Sequence, residues 1–136
     1  MTFHAASSMA AWLMPARPHP GRVPSYEDVH KALRHFVEAR DWDAFHAPKD
    51  LALSLAIEAG ELLEVFQWRD LTAADLTPED RARIGEELAD VAMYAILLAD
   101  KAGLDLMEAI ARKLDANAAK YPVEKARGRA DKYDRL

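Results

Sequence analysis

Two acidic steps, Glu58-x-x-Glu61 and Glu87-x-x-Asp90, sit where apolar side chains should be. At about 100° per helical residue, Leu51, Leu55, Leu62 and Val65 fall within roughly 60° of Glu58, and Glu61 borders the same stripe. Around Glu87 the same projection gathers Ile84, Val91, Tyr94 and Leu98, with Asp90 one turn on at the edge. A carboxylate withdrawn from water without a partner is strongly destabilising, so four directed at one core require positive charge. No basic residue is spaced to neutralise all four, which leaves a divalent cation. The donors are all oxygen and the chain has no cysteine, so a hard ion, Mg²⁺ before Zn²⁺, fits best. Because Mg²⁺ usually shares its shell with substrate phosphates, the pattern points to a polyphosphate compound.

Taken singly, an E-x-x-E step is most often a solvated helix face. Placement inside two apolar stripes, with the small residues Ala59, Gly60 and Ala89 allowing close approach, argues for ligation instead. Glu64 and Glu86 project well away from the central acids: Glu64 is read as a supporting group or an additional ligand, and Glu86 equally as a surface residue. A di-iron carboxylate bundle would want Glu-x-x-His on two helices. The one such step here, Glu27 to His30, lies outside the acidic helices, and its expected fate is exposure.

The elements that must carry these groups are helices. Ser25 with Asp28 three residues later starts one, and Val29, Leu33, Phe36 and Val37 continue it at helical spacing. An aromatic loop, residues 40–47, follows, and Pro48 suits a first helical position. The second helix is expected from Pro48 to Trp68, apolar over most of its circumference. After a linker, Thr77-Pro78-Glu79-Asp80 caps a third helix that Gly103 ends. Asp105 with Glu108 opens a fourth, which Tyr121-Pro122 closes. With no two-residue alternation, the fold class is all-α, a four-helix bundle. The little polar surface of the second helix implies oligomerisation through the core helices.

At 136 residues with 51% apolar content, the chain suits a single domain. Residues 1–24 have no acidic residue and hold four of the seven prolines, and read as a disordered extension rather than a leader, since Arg17 follows the short apolar piece it should precede. Residues 25–122 form the helical domain, and 123–136 a basic polar tail. A net charge of −5 disfavours a nucleic-acid polymer as partner but not a free nucleotide. No apolar run is long enough to span a membrane, and the cytoplasm is the expected location.

A nucleobase needs flat faces, and Trp42 and Trp68 are the candidates, with Phe45 balanced between that role and the core. His46 can bind base or phosphate, although a single loop histidine more often caps or faces solvent. Lys113, Lys120, Lys125, Arg127 and Arg129 can meet phosphate charge or simply solubilise the tail.

The stretches Arg40-Asp41-Trp42-Asp43-Ala44-Phe45-His46, Glu58-Ala59-Gly60-Glu61-Leu62 leading to Phe66-Gln67-Trp68, Glu86-Glu87-Leu88-Ala89-Asp90-Val91 with Tyr94, and Lys113-Leu114-Asp115-Ala116-Asn117 before Tyr121-Pro122 resemble the dCTP pyrophosphatase branch of the MazG-like NTP pyrophosphohydrolases. The resemblance covers most of residues 27–136. It implies an intertwined dimer, often paired into a tetramer, that uses Mg²⁺ to cleave a nucleoside triphosphate to monophosphate and pyrophosphate. Position by position it implies Glu58, Glu61, Glu87 and Asp90 as metal ligands. Trp42, Trp68, Tyr94 and Asn117 match positions shaping the nucleotide pocket, and Lys113 a basic position on the fourth helix. Two departures stand out. Leu33 occupies a position where the family carries histidine, with His35 about 200° around the helix from it, and Lys49-Asp50 replaces an Arg-Asn pair.

The expected activity is hydrolysis of dCTP or a modified dCTP in nucleotide-pool sanitation. The same reaction on dUTP, another modified pyrimidine triphosphate or phosphoribosyl-ATP is the enzymatic alternative. A non-catalytic nucleotide-binding or protein-interaction module is the alternative of another kind.

Overall fold

A computed structural model describes residues 23–135, and every regular element in that span is helical. The extension expected over residues 1–24 lies almost wholly outside the described residues. Helix α1 spans Tyr26–Glu38 and starts on a capping box: the Asp28 amide donates to Ser25 Oγ at 3.2 Å and the Ser25 amide to Asp28 Oδ2 at 3.0 Å. The aromatic loop contains one 3₁₀ turn, Trp42–Phe45. Helix α2 then runs Pro48–Glu64, with Pro48 in the first turn, where its missing N–H costs no intrahelical bond.

Helix α2 is four residues shorter than its apolar pattern suggests. Phe66 and Gln67 bond back to Leu63 and Glu64 in tight turns, and Trp68 swings to φ +61, where no helix continues. Phe66 and Trp68 keep the sequence apolar after the backbone has left the helix, which explains the overreach.

Helix α3 spans Pro78–Lys101 and carries a second capping box, Thr77 with Asp80. Its C-terminus is a Schellman turn. Gly103 takes φ +66, its amide bonds to the Asp100 carbonyl at 3.0 Å, and Leu104 bonds to Ala99 at 2.9 Å. Helix α4, Leu106–Lys120, uses half of the expected acidic box: Asp105 Oδ1 accepts from the Glu108 amide. Beyond Tyr121, helix α5 is a single turn, Val123–Ala126, and a 3₁₀ turn at Tyr133–Arg135 sets Tyr133 edge-on to Tyr121, 6.2 Å between centroids.

Helices α2 and α3 form an antiparallel hairpin, the dominant packing pair of the molecule. Its register is visible in the contacts: Leu51 meets Ile96 and Leu97 at one end, and Arg69 meets Asp80 at the other. Leu33 and Val37 of α1 complete the buried cluster, flanked by Tyr26, Phe36, Met93, Tyr94, Leu98 and Leu106. His30, expected at the surface, instead holds both carboxylate oxygens of Asp100 at 2.9 Å and ties α1 to the end of α3. Helix α4 has no buried residue, and its stripe Met107, Ile110 and Leu114 is exposed, as are Leu53 and Ile57 of α2 and Leu88 of α3. No helix is long and apolar enough to cross a membrane among the described residues.

The turn between α2 and α3 is held by a forked ion pair. Arg69 Nη1 and Nη2 reach Asp80 Oδ1 and Oδ2 at 2.6 and 2.9 Å, and Asp80, 6% exposed, also accepts the Thr77 amide at 3.0 Å. The Arg69 guanidinium first, then the Thr77 amide, hold this carboxyl well below the usual carboxylate range. A carboxyl whose native pKa is depressed contributes stability above its unfolded value and loses it as pH falls below that value. Asp80→Asn should therefore lower the melting temperature by several degrees at pH 7, and the gap to the parent should close as pH drops below 3.8, which thermal melts across pH will check.

Candidate functional site

The hairpin brings the two acidic steps face to face. A carboxylate oxygen each from Glu58, Glu61 and Glu87 lies within 4.8 Å of the others, the one such group of metal-binding type among the described residues. Antiparallel packing is the cause: Glu58 and Glu61 are one turn apart on α2, and Glu87 and Asp90 one turn apart on α3, so the steps meet rung to rung. Asp90 lies outside the tight trio but close enough for its charge to act on Glu58. Glu58, Glu87 and Asp90 are half-buried and Glu61 is exposed, giving the cluster a dry floor and a wet rim. The flanking positions read from the sequence agree, with Leu51 and Val65 buried and Leu55, Leu62, Ile84, Val91, Tyr94 and Leu98 half-buried.

Electrostatically the site is unbalanced. None of the four carboxylates has a hydrogen bond or ion pair to another described residue. Desolvation first, then the charges of Glu61, Asp90 and Glu87, push the Glu58 carboxyl above its ordinary value. A group in that condition is one a cation would relieve.

The donor set passes a simple fit test. A six-coordinate Mg²⁺ with bonds near 2.0–2.1 Å needs neighbouring oxygens about 2.9 Å and opposite ones about 4.2 Å apart. Three carboxylate oxygens within 4.8 Å of one another lie close to that range. The ligands are oxygen alone, as a hard cation prefers. Glu64 and Glu86, exposed on their helices, stand outside the trio.

The remaining residues singled out by sequence fall in separate places. Tyr94 lies one turn beyond Asp90 and packs against the buried cluster. Trp68 projects into solvent, 94% exposed, just past the C-terminal end of α2. Trp42 is partly exposed and meets Phe36 edge-on at 5.7 Å, with the Arg40 guanidinium 3.6 Å above the Phe36 ring. Phe45 is exposed, which favours contact with something outside this chain over the core. Lys113 and Asn117 lie one turn apart on α4, Asn117 the more shielded.

His46 faces a small cavity with Arg34, Asp43, Asp100 and Lys101, and its Nδ1 is buried with no hydrogen-bond partner among the described residues. That cavity, lined also by Leu51 and Leu97, lies at the open end of the hairpin, about 10 Å along the helices from Glu58 and Asp90. Leu33 is buried in the core, so the position where the related pattern carries histidine supplies no polar group here.

Sequence reasoning missed two ion-pair systems, Arg69 with Asp80 and His30 with Asp100. The first had a signal, since an arginine just upstream of an N-capping Thr-Pro-x-Asp can fold back on the acid. The second joins residues 70 apart, and nothing local announces it.

An antiparallel helix pair that brings three carboxylate oxygens within 4.8 Å of one another is an arrangement that could hold a metal ion. The chain belongs to the MazG-like family, whose model matches residues 53–136. It is 41% identical over 116 residues to mouse dCTP pyrophosphatase 1, covering 83% of this chain and 68% of that protein. With human dCTP pyrophosphatase 1 the identity is 38% over 125 residues, 86% of this chain and 74% of the other. Among solved structures, a pyrophosphatase from Archaeoglobus fulgidus superposes with a TM-score of 0.64 at 36% identity, covering 74% of this chain and 99% of that one.

The imbalance of charge at Glu58 has a measurable sign. A carboxyl whose native pKa is raised disfavours the folded state increasingly as pH rises through that value. In chelator at pH 7, Glu58→Gln should raise the melting temperature by a few degrees, with no gain below about pH 4.5. The same change should remove most of the stabilisation that Mg²⁺ or Mn²⁺ gives the parent, and calorimetry with and without the ion reads both effects.

Proposed function

We propose that this chain is a Mg²⁺-dependent nucleoside triphosphate pyrophosphohydrolase that converts dCTP, or a modified dCTP, to the monophosphate and pyrophosphate. The observation that carries this reading is the convergence of Glu58, Glu61 and Glu87 to within 4.8 Å, with Asp90 near enough to act on Glu58. These four carboxylates would hold the ion. When bound, Mg²⁺ supplies charge neutralisation for the triphosphate and lowers the pKa of water, the two things hydrolysis of a phosphoanhydride most needs.

The protein's own part is positioning. The α2–α3 hairpin fixes the two acid pairs against each other, so little rearrangement is left to be done when substrate arrives. The half-buried Glu58, Glu87 and Asp90 line the dry side, while the exposed Glu61 stands where the polyphosphate and solvent enter. Trp68 offers a free indole face for a pyrimidine base, and Trp42, braced on Phe36 at the other end of α2, a second that another copy of the chain would have to bring to it. Tyr94 extends the floor beyond Asp90. Lys113 and Asn117, one turn apart on α4, can reach phosphate and base.

Pool sanitation or control of dCTP concentration is the purpose this chemistry serves, and a free nucleotide substrate is consistent with a cytoplasmic location. The relatives named dCTP pyrophosphatase 1 support cytosine as the base. Self-association belongs to the same proposal: the exposed apolar residues Leu53, Ile57, Leu88, Met107, Ile110 and Leu114 form more uncovered surface than a small monomer keeps, and a homodimer, or a pair of them, would bury it.

Glu61→Gln at saturating Mg²⁺ should reduce pyrophosphate release from dCTP by about 100-fold or more, the scale on which losing one charge-stabilising group acts. A panel of triphosphates should rank dCTP and its 5-substituted forms first. Parent-level turnover by the variant would remove Glu61 from the site, a ranking led by dUTP would reassign the base, and tight binding without turnover would make the chain a sensor.

A further inference from the structure

Trp68 combines three properties that do not belong together in an ordinary loop residue. Its backbone is left-handed, φ +61, a region bulky L-residues rarely adopt. Its indole is 94% exposed, so the chain gains nothing from packing it. And it sits between two of the most firmly held points of the molecule. Val65, three residues before it, is 1% exposed. Arg69, immediately after it, forks onto Asp80 at 2.6 and 2.9 Å while Nη1 also donates to the Val65 carbonyl at 3.4 Å and its amide to the Phe66 carbonyl at 3.0 Å. Asp80 in turn is buried and fixed by the Thr77 capping box at the start of α3.

One guanidinium thus ties together the end of α2, the start of α3 and the turn between them. Strain of this kind persists only where the surroundings over-determine it, and it is commonest where a side chain must be held for a ligand. A free tryptophan on a relaxed loop would sample many orientations and lose affinity when a base selected one of them.

We propose that the Arg69–Asp80 fork is a positioning device that holds Trp68 in its left-handed turn, with the indole pre-set to stack on the substrate's base, which makes Arg69 and Asp80 determinants of nucleotide affinity without touching the nucleotide. The proposal rests on the reading of Trp68 as a base contact given above. The fork also uses what distinguishes arginine from lysine, since a lysine keeps the charge but lacks the planar fork that spans both Asp80 oxygens and the Val65 carbonyl.

The test is a double-mutant cycle on the full chain, measuring pyrophosphate release from dCTP with Mg²⁺ at a temperature where every variant is folded. Trp68→Ala should raise KM by about fivefold or more, the loss expected of one base–aromatic stack. Arg69→Lys should raise KM by about two- to tenfold, the scale of freeing one ordered side chain, with kcat near the parent value. Combined, the two changes should give the KM of Trp68→Ala alone. If Arg69→Lys does not fold, Asp80→Glu, which keeps charge and cap but moves the fork, takes its place in the cycle.

Effects of the two changes that multiply, or an Arg69→Lys protein with parent KM and a lowered melting temperature, would overturn the proposal by making the fork purely structural. A Trp68→Ala protein with parent KM would instead remove Trp68 from base binding, and the positioning role would fall with it.

Discussion

Four carboxylates held between two antiparallel helices repel one another, and the remainder of this structure can be understood as what keeps them together. Like charges at this spacing would separate if the helices were free to slide or splay. They are not. One end of the hairpin is closed by Leu51 against Ile96 and Leu97, with α1 packed over them, and the other by the Arg69–Asp80 fork across the turn. Between those fixed points Glu58, Glu61 and Glu87 stay within 4.8 Å, and desolvation first, then the neighbouring charges, push the Glu58 carboxyl above its ordinary value. A cation bound there would relieve that repulsion, and the donors available to it are oxygen alone.

The distribution of burial fits the same picture. The main buried cluster lies on the α1 side at the open end of the hairpin, with Val65 buried separately at the turn end, whereas α4 and the outer face of α2 keep Leu53, Ile57, Ile110 and Leu114 exposed. Helix α4 and the outer face of α2 thus leave apolar side chains uncovered within one chain. Lys113 and Asn117 share that lightly packed helix, and His46 lies at the open end of the hairpin, about 10 Å along the helices from the nearest acids. In an oligomer, side chains remote from the acids in one copy need not be remote from those of the next.

How much of this could be read in advance depended on the range of each interaction. Capping boxes are local, three residues long, and Ser25 with Asp28 and Thr77 with Asp80 gave both helix starts. The acidic steps were legible for a similar reason: helical periodicity alone places Glu58 and Glu87 inside their apolar stripes, and antiparallel packing then has little choice but to face them. The family pattern added the reaction. The end of α2 was not legible, because Phe66 and Trp68 continue the apolar run while the backbone has turned left-handed. Pairings between distant residues were invisible too. His30 matched a motif that led nowhere, and its true partner, Asp100, is fixed only by the docking of α1 on α3.

The most direct test of the central claim is to locate the ion. Mn²⁺, which takes the same oxygen ligands and scatters anomalously, would be introduced into crystals of the protein and its position read from the anomalous difference map. Density with carboxylate oxygens of Glu58, Glu61, Glu87 or Asp90 about 2.0–2.3 Å away is the result expected. Strong anomalous density elsewhere on the molecule, with the four acids standing free of it at saturating Mn²⁺, would contradict the account.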